Sequence, residues 1–585
     1  MAHRQPLNQP TPAIVAQNAV RRLPRVALLL LCVAYLMPGM LGRGPWKSAD
    51  VAAFGYMQAL AQHAGDWERW FDPLLLGLKP EIPALLPYWI GAWAIQLAPW
   101  LRPDLAVRAV YALLLWGTFS ATWYAVYYLA RTARAQPVAF AFGGEAQPKD
   151  YARAIADGGL LALIACLGLA QLGHETTPAL AQLFFGALVF YGMAALPYHR
   201  AGPTVALLLG GLGLSLSGAP WLALILGLGS LLLGLSERWL SRPVAYADPA
   251  DQGYDRIALA AMATPLMLGA GLAFGLQQFH WRVEWPGQGA SSLGAEIGSL
   301  LRLFLWFTWP AWPMAMWTLW RWRRQWLARH VALPLFFVAV IGVAAVLAQT
   351  SDRVLLLALP ALCTLAAFAL PTFRRSVSAL IDWFTLLFFS GCALFIWVYW
   401  ISLQTGVPAK PAANVFRLAP GFVPEFSAFA LVLALLGTLA WCWLVRWRTG
   451  RHRAALWKTL VLPAGGAALC WLLLMTLWLP LLDYARSYAP QVRAIQAQTG
   501  SAGCVAELGL SRPHIAALHY HGRYALQPIN SHTECGWLLV NPESLYSLHR
   551  IVPLDQWHFV GTFRRPTSPS DDLLLFQHKP VRPAP

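Results

Sequence analysis

Apolar runs of about twenty residues, long enough to cross a bilayer, recur along the chain from Val26 to Pro480. Few charges lie within these runs, and short arginine clusters lie between them. The pattern predicts helical spans over 26–41, 105–129, 157–173, 179–197, 203–218, 220–236, 257–276, 301–319, 331–349, 354–372, 378–401, 425–445 and 456–481. We therefore expect an all-α polytopic membrane protein with about thirteen transmembrane helices.

The arginine clusters predict the orientation of these spans. Arg21, Arg22 and Arg25 precede the first span and place residues 1–25 in the cytoplasm. If the apolar run Ala84–Leu101 also crossed the membrane, nearly every later arginine cluster would face outward. We therefore expect Ala84–Leu101 to be an interfacial or re-entrant helix, since it carries three tryptophans, which favour the membrane surface. Residues 42–104 would then form a long external loop of the 26–482 transmembrane domain.

The composition changes at Asp483, where the spans end. Residues 483–585 contain short runs typical of strands over 504–508, 524–528, 537–540, 558–563 and 573–576, with helical pieces between them. This predicts a small α/β domain on the outer side of the membrane. Cys504 and Cys535 are the two cysteines in this domain, and we predict that they form a disulfide. A zinc site built from them with His514 or His532 is the alternative.

Composition and charge exclude other classes of protein. The chain has 585 residues, 58% of them hydrophobic and 12% charged, with 30 tryptophans and a mean hydropathy of +0.50. A soluble protein of this length would not contain so much apolar surface. The net charge of +17 comes from clusters between spans, which is typical of cytoplasmic loops. We therefore expect membrane lipids and no nucleic acid as partners.

Asp50 is the first candidate for chemistry, because it lies just beyond the first span. An ionisable group at the rim of a membrane protein is costly unless it serves a function. The segments that follow are Trp46-Lys47-Ser48-Ala49-Asp50, Phe54–Gln62, Gly65-Asp66-Trp67, Gly77-Leu78-Lys79-Pro80 and Tyr88-Trp89. In order and spacing they resemble the first external loop of GT-C glycosyltransferases that use polyprenyl-phosphate sugars.

The resemblance is to the lipid A aminoarabinose transferases and the related protein mannosyltransferases, and it extends to the overall plan of spans and C-terminal domain. It implies a glycosyltransferase of the bacterial inner membrane whose active site faces the periplasm. The donor would be a polyprenyl-phosphate sugar. The acceptor would be lipid A, another glycolipid or a protein.

The resemblance also assigns roles to individual residues. Asp50 would be the general base or would orient the acceptor hydroxyl. Because the leaving group is a phosphate, cations must neutralise it. Lys79 and Arg353 are the candidates for this role, and Arg108 also matches the family. A divalent metal ion is the alternative source of positive charge, and no other cofactor is expected.

A second acid of the family is missing from its usual place. At the outer end of the third span the chain reads Gly173-His174-Glu175-Thr176-Thr177-Pro178, with Thr177 where the family has aspartate. Either Glu175 substitutes, with His174 beside it as a substrate-binding residue, or the enzyme works with one carboxylate and a different acceptor or metal dependence, or it has lost activity. A turn that caps the next helix is the structural alternative. Glu284, in a Val-Glu-Trp context, resembles a donor-site acid of the family.

Two other classes of function are weighed against the enzyme. A transporter or flippase of a lipid-linked sugar would be expected to carry charges deep within its spans and to show internal repeats, and the sequence shows few charges there and no convincing repeat. A non-catalytic membrane scaffold with an external binding domain is the third hypothesis, and the missing second aspartate keeps it open.

Overall fold

The computed structural model describes residues 11–46, 48–63, 65–240, 256–277, 293–348, 351–449, 455–500, 503–530 and 535–579. Glu284 and His532 lie outside these ranges. Within them the chain is mainly helical, and a five-stranded sheet lies near the C-terminus.

The helices of the first half are α1 (Arg25–Leu36), α2 (Ala49–Gln62), α3 (Trp67–Phe71), α4 (Leu86–Leu97), α5 (Pro103–Ala130), α6 (Pro148–Ala165), α7 (Leu167–Leu172), α8 (Pro178–Ala195), α9 (Ala201–Leu216), α10 (Pro220–Leu240), α11 (Arg256–Gly275) and α12 (Leu293–Phe307). The second half contains α13 (Ala311–Arg321), α14 (Arg329–Val346), α15 (Ser351–Leu356), α16 (Leu359–Ala367), α17 (Arg375–Thr405), α18 (Ala409–Leu418), α19 (Ala428–Thr449), α20 (Lys458–Leu474), α21 (Leu479–Arg486), α22 (Ala489–Thr499), α23 (Arg512–Ala517) and α24 (Leu545–Ile551).

Six of the described helices are long and apolar enough to cross a membrane, namely α5, α8, α11, α14, α17 and α19. Helices α20 and α21 form a seventh candidate with a bend of 70°. Helices lie at every predicted span, but the predicted total of thirteen is not confirmed, because several of these helices are short or broken. One break falls at Cys166 between α6 and α7, where the backbone is extended. There the amide of Leu167 donates to the carbonyl of Trp309 instead of continuing the helix.

The segment between α1 and α5 contains three helices, of which α4 is the most apolar. With 12 residues, α4 is about 18 Å long, which is shorter than the apolar core of a bilayer. Trp89 and Trp93 of α4 pack with Trp70 and Phe71 of the α3 region. The helix therefore lies in an aromatic cluster of the first loop, and its interfacial or re-entrant placement stays a prediction.

The C-terminal strands are β1 (Cys504–Leu508), β2 (Ala525–Pro528), β3 (Trp537–Val540), β4 (Trp557–Arg565) and β5 (Ser568–His578). They form one sheet in the order β2-β1-β3-β5-β4, with β1 parallel to both neighbours and the β3–β5 and β5–β4 pairs antiparallel. All five lie where the alternation of apolar residues predicts strands. Cys504 and Cys535 form a disulfide with a Cα–Cα distance of 5.3 Å, which leaves no thiolate at either cysteine to bind zinc.

The first loop and the C-terminal domain are packed together through α2 and α23. A Cβ at Gly55 would lie 2.5 Å from the Cβ of Ala516, so only glycine permits this approach of the two helices. The ring of Phe54 meets that of Tyr520 edge to face at 4.8 Å. The Nε of Arg512 donates to a backbone carbonyl of the loop at 2.6 Å. The C-terminal domain thus packs against α2, the helix that carries Asp50.

Replacing both Cys504 and Cys535 with serine should lower the free energy of unfolding of the C-terminal domain by about 3–4 kcal/mol, because the bond spans 31 residues and restricts the unfolded chain. Pulse proteolysis of the full-length protein in detergent, as a function of urea concentration, measures this change. The control is Cys442→Ser, which alters an exposed free cysteine and should leave the midpoint unchanged. Equal midpoints for all three proteins would contradict the prediction.

Candidate active site

Asp50 lies in the first turn of α2 and is completely buried, with 0% of its surface exposed. One carboxylate oxygen accepts from the backbone amide of Thr176 at 2.8 Å and from its hydroxyl at 2.6 Å. The other accepts from the amide of Trp46 and from the guanidinium of Arg43, both at 3.0 Å. Asp50 therefore joins the start of α2 to the turn between α7 and α8, and four donors occupy its two oxygens.

Arg43 is the buried partner of Asp50, and sequence reasoning missed it. Its Nε donates to the carbonyl of Gly39 at 2.7 Å, and its remaining terminal nitrogen donates to the carbonyl of His174. Gly39 has a φ of +85°, which only glycine adopts without strain, and this turn directs its carbonyl to Arg43. A signal was present in the sequence, since a buried carboxylate needs a nearby cation and Arg43 is seven residues away.

The charges around Asp50 keep it ionised. Burial by itself would raise the pKa of Asp50. The guanidinium groups of Arg43 and Arg108 outweigh that effect, and the hydroxyl and amide donors add to them, so the pKa lies below its ordinary value. An acid in this state, with every oxygen already bonded, is poorly placed to take a proton from a substrate.

Glu175 lies in the turn after α7 and is also buried, with 1% exposed. One carboxylate oxygen accepts from the side-chain amide of Gln171 at 3.0 Å, and the other from Arg353 at 3.2 Å. Burial raises the pKa of Glu175 above its ordinary value, and the charge of Asp50 raises it further, although Arg353 opposes both effects. The two acids are thus close enough to interact and have opposite pKa shifts.

Arg353 lies in the short helix α15 and is partly exposed, with 18% of its side chain accessible. One terminal nitrogen pairs with Glu175, while its Nε is buried and has no hydrogen-bond partner among the described residues. A buried donor left without a partner is unfavourable by about 1–3 kcal/mol. The Arg353 guanidinium therefore has the capacity to bind an anion beside Glu175.

His174 and the two threonines after it serve packing and connection in this structure. The His174 ring lies between the rings of Tyr35 and Trp471, and its two nitrogens contact the carbonyls of Ala170 and Tyr35. Burial lowers the pKa of His174 to about 4, so the ring is neutral at physiological pH. This environment favours a structural role over the predicted contact with substrate. Thr177 is the residue before α8, and its hydroxyl does not cap the helix.

Arg108 and Lys79, two further predicted binding residues, lie in different surroundings. Arg108 is buried in α5 and donates to the carbonyl of Arg43, and one of its terminal nitrogens has no partner among the described residues. Lys79 is 70% exposed and pairs with Asp72 at 3.0 Å. The structure therefore brings Arg108 to Asp50, but it does not bring Lys79 to this group. Glu284 lies outside the described residues.

Trp46 and Asp483 connect the site to the C-terminal end of the last span, and sequence reasoning also missed this link. The indole nitrogen of Trp46 donates to Asp483 at 2.9 Å, and the amide of Gly44 donates to the same oxygen at 3.1 Å. Asp483 belongs to α21, from which the chain enters the C-terminal domain. In the described parts of the chain, no group of three His, Cys, Asp or Glu side chains is arranged to hold a metal ion.

The helical bundle, the long first loop that packs against it, and the C-terminal α/β domain define the class: a polytopic membrane protein with a GT-C fold. The structure is similar to that of ArnT from Cupriavidus metallidurans bound to undecaprenyl phosphate, with a TM-score of 0.62 and 14% identity over 96% of this chain and 99% of that one. The apo form of the same protein matches with a TM-score of 0.61 and 14% identity over 94% and 97%. No protein-family model and no curated protein sequence matches the chain.

Asp50→Asn should lower the free energy of unfolding by about 3–5 kcal/mol, because it leaves the buried charge of Arg43 without a counter-charge. The double variant Arg43→Gln/Asp50→Asn should recover part of this loss. Thermal unfolding in detergent measures both. The control is Asp72→Asn, which breaks an exposed ion pair and should cost less than about 1 kcal/mol. Equal losses for Asp50→Asn and Asp72→Asn would show that the buried pair is not the stabilising contact.

Proposed function

We propose that the protein is an integral membrane glycosyltransferase that moves a sugar from a polyprenyl phosphate to an acceptor hydroxyl. The observation that carries the proposal is the buried pair of Glu175 and Arg353, which adjoins the Arg43–Asp50 pair in a GT-C fold. The fold neighbour bound to undecaprenyl phosphate supports the class of donor.

In the proposed reaction the acceptor oxygen forms a bond to the anomeric carbon of the sugar. The bond between that carbon and the phosphate oxygen breaks, and its electron pair leaves with the phosphate. The proton of the acceptor hydroxyl passes to a base. The site therefore needs a carboxylate that accepts a proton and cations that stabilise the leaving phosphate.

We assign the role of base to Glu175 and a positioning role to Asp50, whereas the family resemblance assigns the base to Asp50. Asp50 already accepts four hydrogen bonds and has a lowered pKa, so its carboxylate stays ionised. Glu175 has a raised pKa, which brings its proton affinity closer to that needed near neutral pH. Glu175 thus substitutes for the acid that is missing at Thr177.

Arg353 is the proposed ligand of the donor phosphate. Its charge is beside Glu175, and its unpartnered Nε supplies a donor that a phosphate oxygen can occupy. Guanidinium groups bind phosphate through two parallel hydrogen bonds, which fixes orientation as well as charge. Arg108, buried next to Arg43, adds positive potential. For Lys79 and Glu284, the donor-site roles remain predictions from the resemblance.

We further propose that this site faces the periplasm in the bacterial inner membrane. The support is the distribution of arginine clusters, which agrees with a cytoplasmic N-terminus and an α4 that does not cross. The acceptor would be lipid A, another glycolipid or a protein presented from that side.

Glu175→Gln should reduce sugar transfer by about 10²- to 10⁴-fold, because glutamine cannot accept the proton. In a deletion strain the donor should accumulate as a polyprenyl-phosphate sugar detectable by mass spectrometry. Wild-type protein should remove this accumulation, and Glu175→Gln should not. The control is Glu425→Gln, which changes an exposed acid after α18.

The outcomes of this experiment separate the hypotheses. Absence of any accumulated donor in the deletion strain would contradict the enzyme and favour the scaffold. Accumulated lipid-linked sugar that an impermeant oxidant such as periodate cannot reach would favour the transporter.

The acidic limb of the pH profile of kcat/KM should lie above the ordinary glutamic acid value of 4.5, because Glu175 acts in its ionised form and its pKa is raised. Arg353→Gln should move this limb to higher pH, since Arg353 is a charge that lowers the pKa of Glu175. The profile is measured on purified protein with the donor isolated from the deletion strain. A limb that stays in place in Arg353→Gln would exclude Glu175 as the titrating base.

A further inference from the structure

We propose that Arg486 is a second phosphate-binding residue, which neutralises the leaving phosphate together with Arg353. The inference rests on the proposed function and adds a donor-binding residue to the same site. Its position far along the chain, beyond the last span, gives it no marked pattern in the sequence. What points to it is the place where α21 ends.

Arg486 is the last residue of α21, after the 70° bend that follows α20. Its side chain is partly buried, and its guanidinium carbon lies 5.6 Å from the centre of the Trp46 ring. Arg43 lies 4.4 Å from the same ring. Both distances are in the range of cation–π attraction. The indole therefore holds Arg486 beside the segment that leads into Asp50, and it does so without neutralising the charge.

Arg486 takes part in no ion pair in the described ranges, whereas Arg43 and Arg353 each pair with an acid. The charge of Glu175 acts on Arg486, but Glu175 bonds to Arg353 instead. A partly buried guanidinium without an ion pair is unusual, because partial desolvation is normally offset by a carboxylate. An anionic ligand beside Glu175 would supply that counter-charge.

Asp483, one turn earlier in α21, would be the obvious partner for Arg486. One of its carboxylate oxygens, Oδ1, instead accepts from two neutral donors, the amide of Gly44 and the indole of Trp46. Trp46 therefore contacts both ends of this turn of α21: its indole nitrogen bonds to Asp483, and its ring stacks against Arg486. This arrangement leaves the positive charge of Arg486 available.

The formal charges around the site also favour an anion. The acid–arginine cluster comprises three carboxylates and four guanidinium groups, which are Asp50, Glu175, Asp483, Arg43, Arg108, Arg353 and Arg486. Its formal charge is thus positive by one, and by two once Glu175 has taken the proton. A sugar phosphodiester carries one negative charge. The lipid phosphate monoester that leaves gains a second, with a pKa near 6.

The reaction therefore increases the negative charge of the phosphate, while Glu175 loses its negative charge by taking the proton. One guanidinium suffices for the singly charged diester, and a second favours the doubly charged product and the transition state that leads to it. Arg486 supplies this second charge from the end of α21, while Arg353 supplies the first. Both are guanidinium groups, which match the geometry of phosphate oxygens better than an ammonium group does.

The test is the binding of undecaprenyl phosphate to the full-length protein in detergent, with undecaprenol as the uncharged comparison. Arg486→Gln should weaken undecaprenyl phosphate binding about tenfold at pH 8 and less at pH 5, where the phosphate carries one charge. Binding of undecaprenol should not change. Arg486→Lys should keep part of the affinity. The matched control is Arg550→Gln, which removes an arginine stacked on Tyr546 of the C-terminal domain.

Each outcome decides between the inference and the function on which it rests. If wild-type protein binds undecaprenyl phosphate no better than undecaprenol, both are wrong. If Arg353→Gln weakens phosphate binding and Arg486→Gln does not, the proposed function stands and this inference is wrong. If Arg486→Gln weakens both lipids equally, or to the same extent at both pH values, the residue acts through packing and the inference is also wrong.

Discussion

The buried ion pair between Arg43 and Asp50 is the contact on which the rest of the site depends. Removing two charges from water is unfavourable unless each gains enough partners. Here Asp50 accepts four hydrogen bonds, and Arg43 donates to two carbonyls in addition to the carboxylate. Because those partners belong to the first loop and to the turn between α7 and α8, the pair fixes the two segments against each other. Glu175 lies in that turn, so its position is set by the same bonds.

The two acids also differ in the direction in which their surroundings shift the pKa. Burial raises the pKa of Glu175, and the fixed negative charge at Asp50 raises it further, because a second negative charge nearby is less favourable. Two carboxylates in one site with opposite shifts are a common arrangement in enzymes that need one group to stay ionised and another to exchange a proton. In this protein Arg43 and Arg108 lower the pKa of Asp50, while burial and the charge of Asp50 raise that of Glu175.

The C-terminal domain contributes to the site through contacts rather than through its own sheet. Gly55 allows α2 to approach α23 closely, and Trp46 bonds to Asp483 where the chain leaves the last span. The first loop is thus held at two places, by Asp483 of α21 at its start and by the C-terminal domain at α2. A loop fastened in this way keeps the acid–arginine cluster in place, which electrostatic stabilisation of a reacting group requires.

The sequence by itself determined the helical and strand segments and singled out Asp50 and Glu175 as candidate acids, because apolar length, alternation and a displaced motif residue are properties of neighbouring residues. Only the tertiary structure decided that Thr176 bonds to Asp50, that Arg353 pairs with Glu175, and that Arg486 lies over the Trp46 ring. Asp50 and its partner Thr176 are 126 residues apart. Contacts over such separations depend on how helices pack, and no local spacing in the chain encodes them.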